Sequence, residues 1–411
     1  MFTFLHCADI HLDSPLRNLA LREHDGSVIR GAVRRAFADL VQLALDQQVA
    51  FVLIAGDLYD GAWKDYHTGL YFINHMQRLG RAGIRVFLVS GNHDAASRIT
   101  TALRLPDNVV QFSTSRAETV VLEETGVAIH GRGYARRAVT DNLALSYPDP
   151  DPDMFNIGLL HTGLSGRPGH EPYAPCTEED LISRGYDYWA LGHVHQREVV
   201  HRDPWIVFPG NIQGRHIREA GPRGATLVTV ENGVVAAVEH HDLDVVRWSL
   251  CRVDLTGCTS LDEVLERTGR DLGETVDRAD GRPVAVRLEL SGEVSCHPEL
   301  HRDREHLVSE LVALAGDLGD VWLEKIRLRT RPPARDVVTA DPGLVDLERL
   351  LAEVDSPLEL APELEKFLTR LPPELSGQES LLPDDPARSR ELLSTARDLL
   401  LGRILGYRGS T

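Results

Sequence analysis

The sequence predicts an α/β fold in which helices cover a sheet, followed by a small α+β domain and a helical C-terminal segment. Three observations predict it. Short apolar runs alternate with amphipathic segments over residues 2–90. The apolar runs are nearly continuous, as in strands that are buried on both faces. After residue 108 the pattern changes to mostly strand-like runs, so further strands follow the first alternating part.

The first part, residues 1–245, is predicted to be one domain. We expect a strand over residues 2–8, a helix over 29–48, a strand over 51–55, a helix over 66–81 and a strand over 84–90. Further strands are expected over residues 128–131, 155–161, 188–191, 205–208, 225–230 and 234–240. Proline and aspartate crowd residues 147–153, which predicts an exposed loop inside this domain.

The second part, residues 246–330, is predicted to be a small α+β domain. Its expected strands are residues 248–255, 284–290 and 321–329, with helices over 260–271 and 299–318. The prolines of residues 331–342 indicate a linker. Residues 343–411 are predicted to be helical, and one helix face would carry Leu393, Ala396, Leu400 and Ile404. That face either packs on its own protein or docks on a partner.

Composition and charge exclude several classes of protein. The chain has 411 residues, 42% of them hydrophobic, and 44 basic against 62 acidic residues give a net charge of −18. These values exclude a disordered chain, a collagen-like repeat and a small disulfide scaffold. The acidity argues at first against a polyanionic partner such as nucleic acid. However, the segment from Asp341 onward, with fourteen acidic and eight basic residues, carries −6 of that charge.

Cysteine usage and the N-terminal residues indicate the cellular compartment of the protein. The five cysteines are scattered, odd in number and without a CxxC pair, which predicts a reducing environment. The first residues lack the pattern of a signal peptide, and no apolar run approaches the ~20 residues of a membrane helix. We therefore expect a cytoplasmic protein without a membrane segment.

Five polar blocks follow predicted strands. They are Asp9-Ile10-His11, Gly56-Asp57-Leu58-Tyr59-Asp60, Gly91-Asn92-His93-Asp94, His161-Thr162 and Gly192-His193-Val194-His195. Since ligands bind at the carboxyl ends of strands in open α/β sheets, the five blocks are expected to converge on one cleft.

The residue types of these blocks predict a divalent metal centre. Carboxylate, imidazole and amide oxygen suit Mn²⁺, Fe²⁺ or Zn²⁺, and the blocks contain no thiolate of a structural zinc site. Alternate residues leaving a strand point to the same side, so Asp9 and His11 are expected to reach one ion, and His193 and His195 likewise. Seven candidate ligands exceed the needs of one ion and suit two ions that share a bridge.

The ordered set of blocks resembles the calcineurin-like metallophosphoesterase superfamily over residues 1–245. Residues 8–16, 188–195 and 208–216 are similar to SbcD-type bacterial DNA repair exonucleases, and among them to the YhaO-like branch. The resemblance implies a four-layer α/β sandwich, a capping, DNA-recognition domain at 246–330 and a partner-docking segment at 343–411.

The resemblance also implies the ligand set and the reaction. One ion would be held by Asp9, His11, Asp57 and His195, and the other by Asp57, Asn92, His161 and His193. Mn²⁺ is expected first, with Fe²⁺, Zn²⁺ or Mg²⁺ as alternatives. A metal-bound hydroxide would attack phosphorus in line, while both ions neutralise charge on the non-bridging oxygens.

Two residues beside the ligands are expected to act on the substrate. His93 would be the general acid for the leaving oxygen or an electrostatic stabiliser. Asp60 would orient His93 and favour its charged form, or else serve as a turn or cap residue. Break-repair nucleases often carry His at the position of Asp60, whereas phosphatase-like members carry Asp.

The basic stretch Arg215, His216, Arg218 and Arg223 either contacts DNA phosphates or forms a solvated loop. By resemblance, the partners would be DNA and an SMC-like coiled-coil ATPase, and the chain would form a homodimer. Two other functions stay open. One is a phosphatase or small-molecule phosphodiesterase, suggested by Asp60 and by the acidity. The other is a DNA- or partner-binding subunit with a structural metal site.

Overall fold

In the computed structural model, the apolar runs of the first half form the strands of two six-stranded sheets. The model describes residues 1–16, 19, 31–60, 66–95, 104–165, 173–333, 396 and 400. These residues divide into two units. The first consists of Met1–Leu250, Val276–Val286 and Asp320–Glu324, and the second of Cys251–Thr275, Arg287–Gly319 and the described residues from Lys325 onward.

The first sheet has the strand order β12-β11-β1-β2-β3-β4. Its strands are β1 (Phe2–Cys7), β2 (Phe51–Ala55), β3 (Arg85–Val89), β4 (Val109–Gln111), β11 (Gly224–Glu231) and β12 (Val234–Asp242). Strands β1 to β4 run parallel, whereas β11 is antiparallel to β1 and to β12. The carboxyl ends of β1, β2 and β3 therefore lie at one edge of this sheet.

The second sheet has the order β5-β6-β7-β8-β10-β9. Its strands are β5 (Glu118–Leu122), β6 (Val127–Arg132), β7 (Phe155–His161), β8 (Tyr188–Gly192), β9 (Glu198–Arg202) and β10 (Trp205–Phe208). Strands β6, β7, β8 and β10 run parallel, and both outer strands are antiparallel to their neighbours. Every residue of β2, β7 and β8 is buried, as expected of strands covered on both faces.

Helices and sheets of the first unit stack in four layers, which confirms the predicted fold class. Helices α1 (Ala32–Asp46) and α2 (Tyr66–Arg81) pack through Phe37 and Phe72 on the outer face of the first sheet. A second core, with Phe87 and Ile157, joins the two sheets. A third core around Trp189 covers the outer face of the second sheet, where short α4 (Glu178–Ile182) packs.

The third sheet has the order β13-β14-β15 and consists of β13 (Arg247–Asp254), β14 (Val284–Glu293) and β15 (Val321–Arg331). Helix α5 (Leu261–Asp277) connects the first two strands, and helices α6 (His297–Arg302) and α7 (Arg304–Asp317) connect the last two. Within the described part of the chain, no helix is long and apolar enough to cross a bilayer.

Several predicted elements differ from the observed ones. The single helix expected over residues 299–318 is two helices that are interrupted at Asp303. The Asp303 side chain caps the second helix by accepting a hydrogen bond from the backbone N–H of His306. Helix α5 continues to Asp277, six residues beyond its predicted end. Strands β4, β5 and β9 were not predicted, and their partly exposed residues explain why they lack a long apolar run.

The predicted C-terminal elements are described only in part. Strand β15 ends at Arg331, the first residue of the predicted linker. Ala396 and Leu400 are helical and exposed. Leu393 and Ile404 lie outside the described residues, as does most of the helical segment expected at 343–411. The division into domains at residues 245 and 330 stays a proposal.

Candidate metal centre

Polar side chains from five strand ends come together in the first unit. Their ligand atoms form three overlapping groups, each within 4.8 Å. The groups are Asp9, His11 and His195; His11, Asp57 and His93; and Asp57, His161 and His193. Asp57 and His11 each belong to two groups, so the arrangement is one continuous cluster.

Asp9, His11 and His195 make up one end of the cluster. Nε2 of His11 lies 3.3 Å from Nε2 of His195, which lies 3.9 Å from Oδ1 of Asp9. Asp9 also accepts hydrogen bonds from the backbone N–H of His193, at 3.0 and 3.2 Å from its two carboxylate oxygens.

His161, Asn92 and His193 make up the other end, beside Asp57. Nε2 of His161 lies 3.0 Å from Oδ1 of Asn92 and 3.6 Å from Oδ2 of Asp57. Nδ1 of His193 lies 3.2 Å from the same Asn92 oxygen. The structure thus brings together all seven residues predicted as ligands, and Asp57 lies between the two ends, 3.9 Å from Nε2 of His11.

The backbone reaches this arrangement by tight turns and not by strand alternation, which corrects the geometric reasoning from sequence. Asp9, His11, Asp57 and His193 all have positive φ, at 50°, 47°, 52° and 103°. Such left-handed backbone is costly for residues other than glycine and is concentrated at functional sites. His193 and His195, predicted to reach one ion together, belong to different groups.

Two glycines allow the turns to approach each other. A Cβ on Gly91 would lie 2.2 Å from Oδ1 of Asp57, and a Cβ on Gly192 would lie 1.9 Å from the carbonyl oxygen of Ala55. Either contact is shorter than van der Waals distance. Glycine at these positions is therefore required by close packing of the strand ends.

Two buried acids to which the sequence analysis assigned no role, Asp94 and Glu219, hold the turns and His195 in place. Asp94, on the one-turn helix α3 (Asn92–Ala95), accepts hydrogen bonds from the backbone N–H groups of Leu58, Tyr59 and Gly91. Glu219 accepts a hydrogen bond from Nδ1 of His195 at 2.6 Å. Glu219 lies well outside the five polar blocks, so spacing gave no signal for it.

Hydrogen bonds fix which imidazole nitrogens can bind a cation. Nδ1–H of His161 donates to the carbonyl oxygen of Ala55 at 2.8 Å, and Nδ1–H of His195 donates to Glu219. Their Nε2 atoms therefore carry lone pairs, and both face the cluster. Nε2 of His161 meets the Asn92 oxygen, so two acceptors face each other, an arrangement that a cation relieves.

Burial shifts the pKa values of the titratable groups in the cluster toward their neutral forms. Burial, and then the charge of Asp57, raises the pKa of the Asp9 carboxyl, and burial likewise raises the pKa of Asp57. Burial lowers the pKa of His161 to about 3, so its imidazole is neutral at pH 7. Among the described residues, Nδ1 of buried His11 has no hydrogen-bond partner. Two buried carboxylates beside neutral imidazoles fit a pair of divalent cations.

His93 lies at the solvent side of the cluster. Its side chain is 31% exposed, and its Nδ1 lies 2.8 Å from Oδ1 of Asp60. This hydrogen bond raises the pKa of His93, whereas contact with His11 and the bond from His93 hold the pKa of Asp60 below its ordinary range. Ser14 donates a further hydrogen bond to Oδ2 of Asp60 at 2.9 Å.

The predicted basic stretch divides into different environments. The Arg215 guanidinium is buried, 3.4 Å from Glu219 and 3.8 Å from Asp60. Arg223 is also buried and donates to backbone carbonyls, including that of Ala220. The sequence predicted either a phosphate contact or a solvated loop for Arg223, and its buried position agrees with neither. His216 is partly exposed, 3.6 Å from Glu219, and Arg218 is exposed.

Comparison with known proteins agrees with this geometry. The family model for calcineurin-like phosphoesterases matches residues 2–197, and the model for the middle domain of the metallophosphoesterase YhaO matches residues 248–331. The metallophosphoesterase YhaO of Bacillus subtilis is 38% identical over 298 residues, which cover 71% of this chain and 72% of that protein.

More distant relatives are archaeal. The DNA double-strand break repair protein Mre11 of Methanopyrus kandleri is 27% identical over 64% of this chain, and that of Sulfurisphaera tokodaii is 26% identical over 59%. The match spans 62% of the length of each. A dimetal phosphatase structure from Danio rerio matches with a TM-score of 0.34 and 14% identity, over 56% of this chain and 93% of that one.

The family models match most of the described chain, and the Bacillus relative is similar over most of both chains. The cluster of buried aspartates, histidines and one asparagine at the strand ends agrees with these matches. The chain therefore belongs to the calcineurin-like metallophosphoesterase family.

Proposed function

We propose that the protein is a two-metal phosphodiesterase that acts on DNA. The observation that carries the proposal is the pair of ligand groups joined through Asp57, with the partly exposed His93–Asp60 pair beside them. Two ions that share a carboxylate suit the phosphodiester group, which has two non-bridging oxygens and a leaving oxygen.

The ligand set that the family resemblance implies for two ions is supported by the way the ligand atoms group. Asp9, His11, Asp57 and His195 would hold one ion, and Asp57, Asn92, His161 and His193 the other. When bound, the ions supply Lewis acidity toward the phosphate oxygens. The mixed carboxylate, imidazole and amide set favours Mn²⁺, with Fe²⁺, Zn²⁺ and Mg²⁺ as alternatives.

His93 has the position and protonation of a general acid. Because its Nδ1 proton is held by Asp60, Nε2 is the nitrogen that can give its proton to the leaving oxygen. The hydrogen bond to Asp60 raises the pKa of His93, which favours the imidazolium form that a general acid needs. Asp60 acts through His93, and Arg215 and Ser14 hold Asp60 in place.

DNA is the proposed substrate because two relatives are named as DNA double-strand break repair proteins. From the resemblance to SbcD-type exonucleases, we further propose exonuclease activity, an SMC-like coiled-coil ATPase that binds the C-terminal segment, and a homodimer. Exposed Arg218 and partly exposed His216 are proposed to contact the phosphate backbone near the site. Buried Arg215 is proposed instead to position Asp60.

One specific observation favours a second candidate, a phosphatase or small-molecule phosphodiesterase. It is Asp60 itself, which occupies the position where break-repair nucleases often carry histidine. A purely structural metal site is less well supported. Such sites are closed, whereas His93 and His195 are 31% and 21% exposed here.

A hydrolysis assay with two substrates tests the proposal. Purified protein with Mn²⁺ is expected to degrade linear DNA and to cleave a nitrophenyl phosphodiester. His93→Ala should lose most of the DNA cleavage, while the exposed histidine control His67→Ala should retain it. Cleavage of the small diester without any action on DNA would favour the second candidate. Metal binding without hydrolysis of either substrate would reject both.

A further inference from the structure

A cavity of about 230 Å³ lies in the first unit, beside the candidate metal cluster. Its described lining contains none of the seven predicted ligands. Leu58 and Tyr59, directly after Asp57, line it, and so does Asp94, directly after His93. A molecule in this cavity would therefore contact the turns that carry the ligands without occupying the metal centre.

The walls of the cavity suit a flat aromatic ring. Tyr59 and Phe72 both line it, with ring centroids 6.2 Å apart and ring planes at 73°. Leu58 and Leu88 add aliphatic surface. A planar ring can stack on one aromatic side chain and meet the edge of the other. The cavity is smaller than the ~300–1,000 Å³ of pockets for drug-sized ligands, so it fits one ring system.

The buried end of the cavity offers a hydrogen-bond acceptor. Asp94 and Ser90 are 7% and 6% exposed and mark this end. The Ser90 hydroxyl donates to the carbonyl oxygen of Tyr134 at 3.1 Å. The Asp94 oxygens accept three backbone N–H groups, out of about four lone-pair sites on a carboxylate. The remaining site suits an N–H or amino group on the ring of a ligand.

Exposed arginines lie next to lining residues at the solvent side. Ala135 is exposed and marks the mouth of the cavity. Arg136 and Arg137 directly follow it, and both are exposed. Arg104, also exposed, directly precedes Leu105, a half-buried lining residue. The mouth therefore has cationic side chains on two different segments of the chain.

Acidic side chains near the mouth offset only part of this charge. Asp107 is exposed in the segment that contains Arg104. Glu118 lies 3.6 Å from Arg116, so these two charges compensate each other. In the described chain around the mouth, positive charge thus exceeds negative charge, and an anionic group is favoured there.

We propose that the cavity and its flanking arginines form a second site, which binds a nucleoside monophosphate. The base would occupy the cavity, while the sugar and the phosphate, for which it has no room, would lie at the mouth beside Arg104, Arg136 and Arg137. Arginine holds phosphate oxygens through two parallel N–H groups. Aromatic stacking accepts every base, and the acceptor on Asp94 favours a base with an amino group. This site goes beyond the proposed function, because it binds a nucleotide without cleaving it.

Isothermal titration of the full chain with deoxyadenosine 5′-monophosphate tests the proposal. The titration is run with Mn²⁺ and with EDTA, which separates phosphate binding at the metal centre from binding at the cavity. Two further probes divide the ligand, since deoxyadenosine lacks the phosphate and deoxyribose 5-phosphate lacks the base. The nucleotide is expected to bind in EDTA, and more tightly than either part.

Ile73→Trp is expected to abolish this binding, because Ile73 lines the cavity and a larger side chain would fill it. The matched control is Asn74→Trp, which adds the same ring at the next, exposed position of α2 and should bind like the wild type. Urea denaturation of both variants verifies that they fold.

Arg136→Ala with Arg137→Ala should weaken nucleotide binding about tenfold or more and leave binding of deoxyadenosine unchanged. The control pair Arg302→Ala with Arg304→Ala removes the same charge from exposed positions of the second unit and should keep the wild-type affinity. The arginine variants test the site even if Ile73→Trp does not fold.

A 5′-phosphorylated oligonucleotide distinguishes two sources of the nucleotide. If it displaces the monophosphate in EDTA, the site holds the end of a strand, and if it does not, the site holds a free nucleotide. The proposal is overturned if no nucleotide binds in EDTA at millimolar concentration, or if folded Ile73→Trp binds it with wild-type affinity. Equal loss of affinity in both arginine pairs would reject the phosphate contacts.

Discussion

The hydrogen bond between Glu219 and His195 shows how a residue outside the candidate metal cluster orients one of the proposed ligands. At 2.6 Å, the carboxylate holds the Nδ1 proton and leaves Nε2 with the lone pair that faces Asp9 and His11. Burial alone would raise the pKa of Glu219, but the bond from His195 and the charge of Arg215 hold it low, so the group is ionised. An ionised acceptor makes the imidazole a better ligand.

Glu219→Gln is therefore expected to weaken Mn²⁺ binding by about 10- to 100-fold, because a neutral amide orients and polarises His195 less well. Isothermal titration with Mn²⁺ measures this. Glu231→Gln, at the exposed end of β11, is the matched control and should bind like the wild type. Equal affinities in all three proteins would contradict the assigned role of Glu219.

Asp60→Asn is expected to change the pH profile of hydrolysis. Asp60 raises the pKa of His93 above its ordinary 6.5, so the acid form persists to higher pH and is lost as pH rises through the raised value. With asparagine, the alkaline fall in kcat should move toward lower pH, while activity below pH 6.5 is retained. An unchanged alkaline limb of the profile would show that Asp60 does not set the protonation of His93.

At the scale of elements, the site depends on strand ends that lie too close together to leave room for a Cβ atom between them. Gly192→Ala would put a Cβ 1.9 Å from the Ala55 carbonyl oxygen, a backbone atom that cannot rotate away. We expect a loss of about 1–3 kcal/mol in the free energy of unfolding, measured by urea denaturation.

Gly273→Ala is the control for this substitution. Gly273 lies within helix α5, where an added Cβ meets no atom within 4 Å, so alanine should stabilise the protein by up to about 1 kcal/mol. If Gly192→Ala and Gly273→Ala had the same effect on stability, the close approach of β8 to β2 would not constrain the sequence.

The strand ends also explain what sequence could predict. Apolar runs located β1, β2, β3, β7 and β8 to within one or two residues, and the blocks after them contain the whole observed cluster. The left-handed turns at Asp9 and His11 have no such pattern, because aspartate and histidine occur there without a neighbouring glycine. Glu219 and Asp94 act through contacts between segments distant in sequence, which periodicity does not encode.

At the scale of the whole first unit, the two sheets are joined by packing and by hydrogen bonds of buried histidines, among them His161 and His6. His6 of β1 contacts the Tyr188 hydroxyl at 3.0 Å and the Leu191 carbonyl oxygen at 3.1 Å, both in the second sheet. Burial lowers the pKa of His6 to about 3. The neutral form therefore links the sheets, and a proton on His6 favours separation of the sheets.

The free energy of unfolding is expected to fall as pH drops below 6.5. In that range His6 binds a proton in the unfolded chain, whereas in the folded chain it stays neutral down to about pH 3. For one such histidine, each pH unit in this window lowers the free energy of unfolding by about 1.4 kcal/mol. His6→Gln should flatten the dependence of the urea midpoint on pH between 6.5 and 5 relative to the wild type. Parallel pH curves for the two proteins would exclude His6 as the cause.

Metal content tests most directly whether the cluster binds two divalent ions that share Asp57. After equilibration with Mn²⁺ and removal of the excess, elemental analysis is expected to give two ions per chain in the wild type. Asp57→Asn should lose both ions to a large extent, whereas Asp46→Asn, at the exposed end of α1, should retain two. A single ion in the wild type, or two ions in Asp57→Asn, would contradict a two-ion centre that shares Asp57.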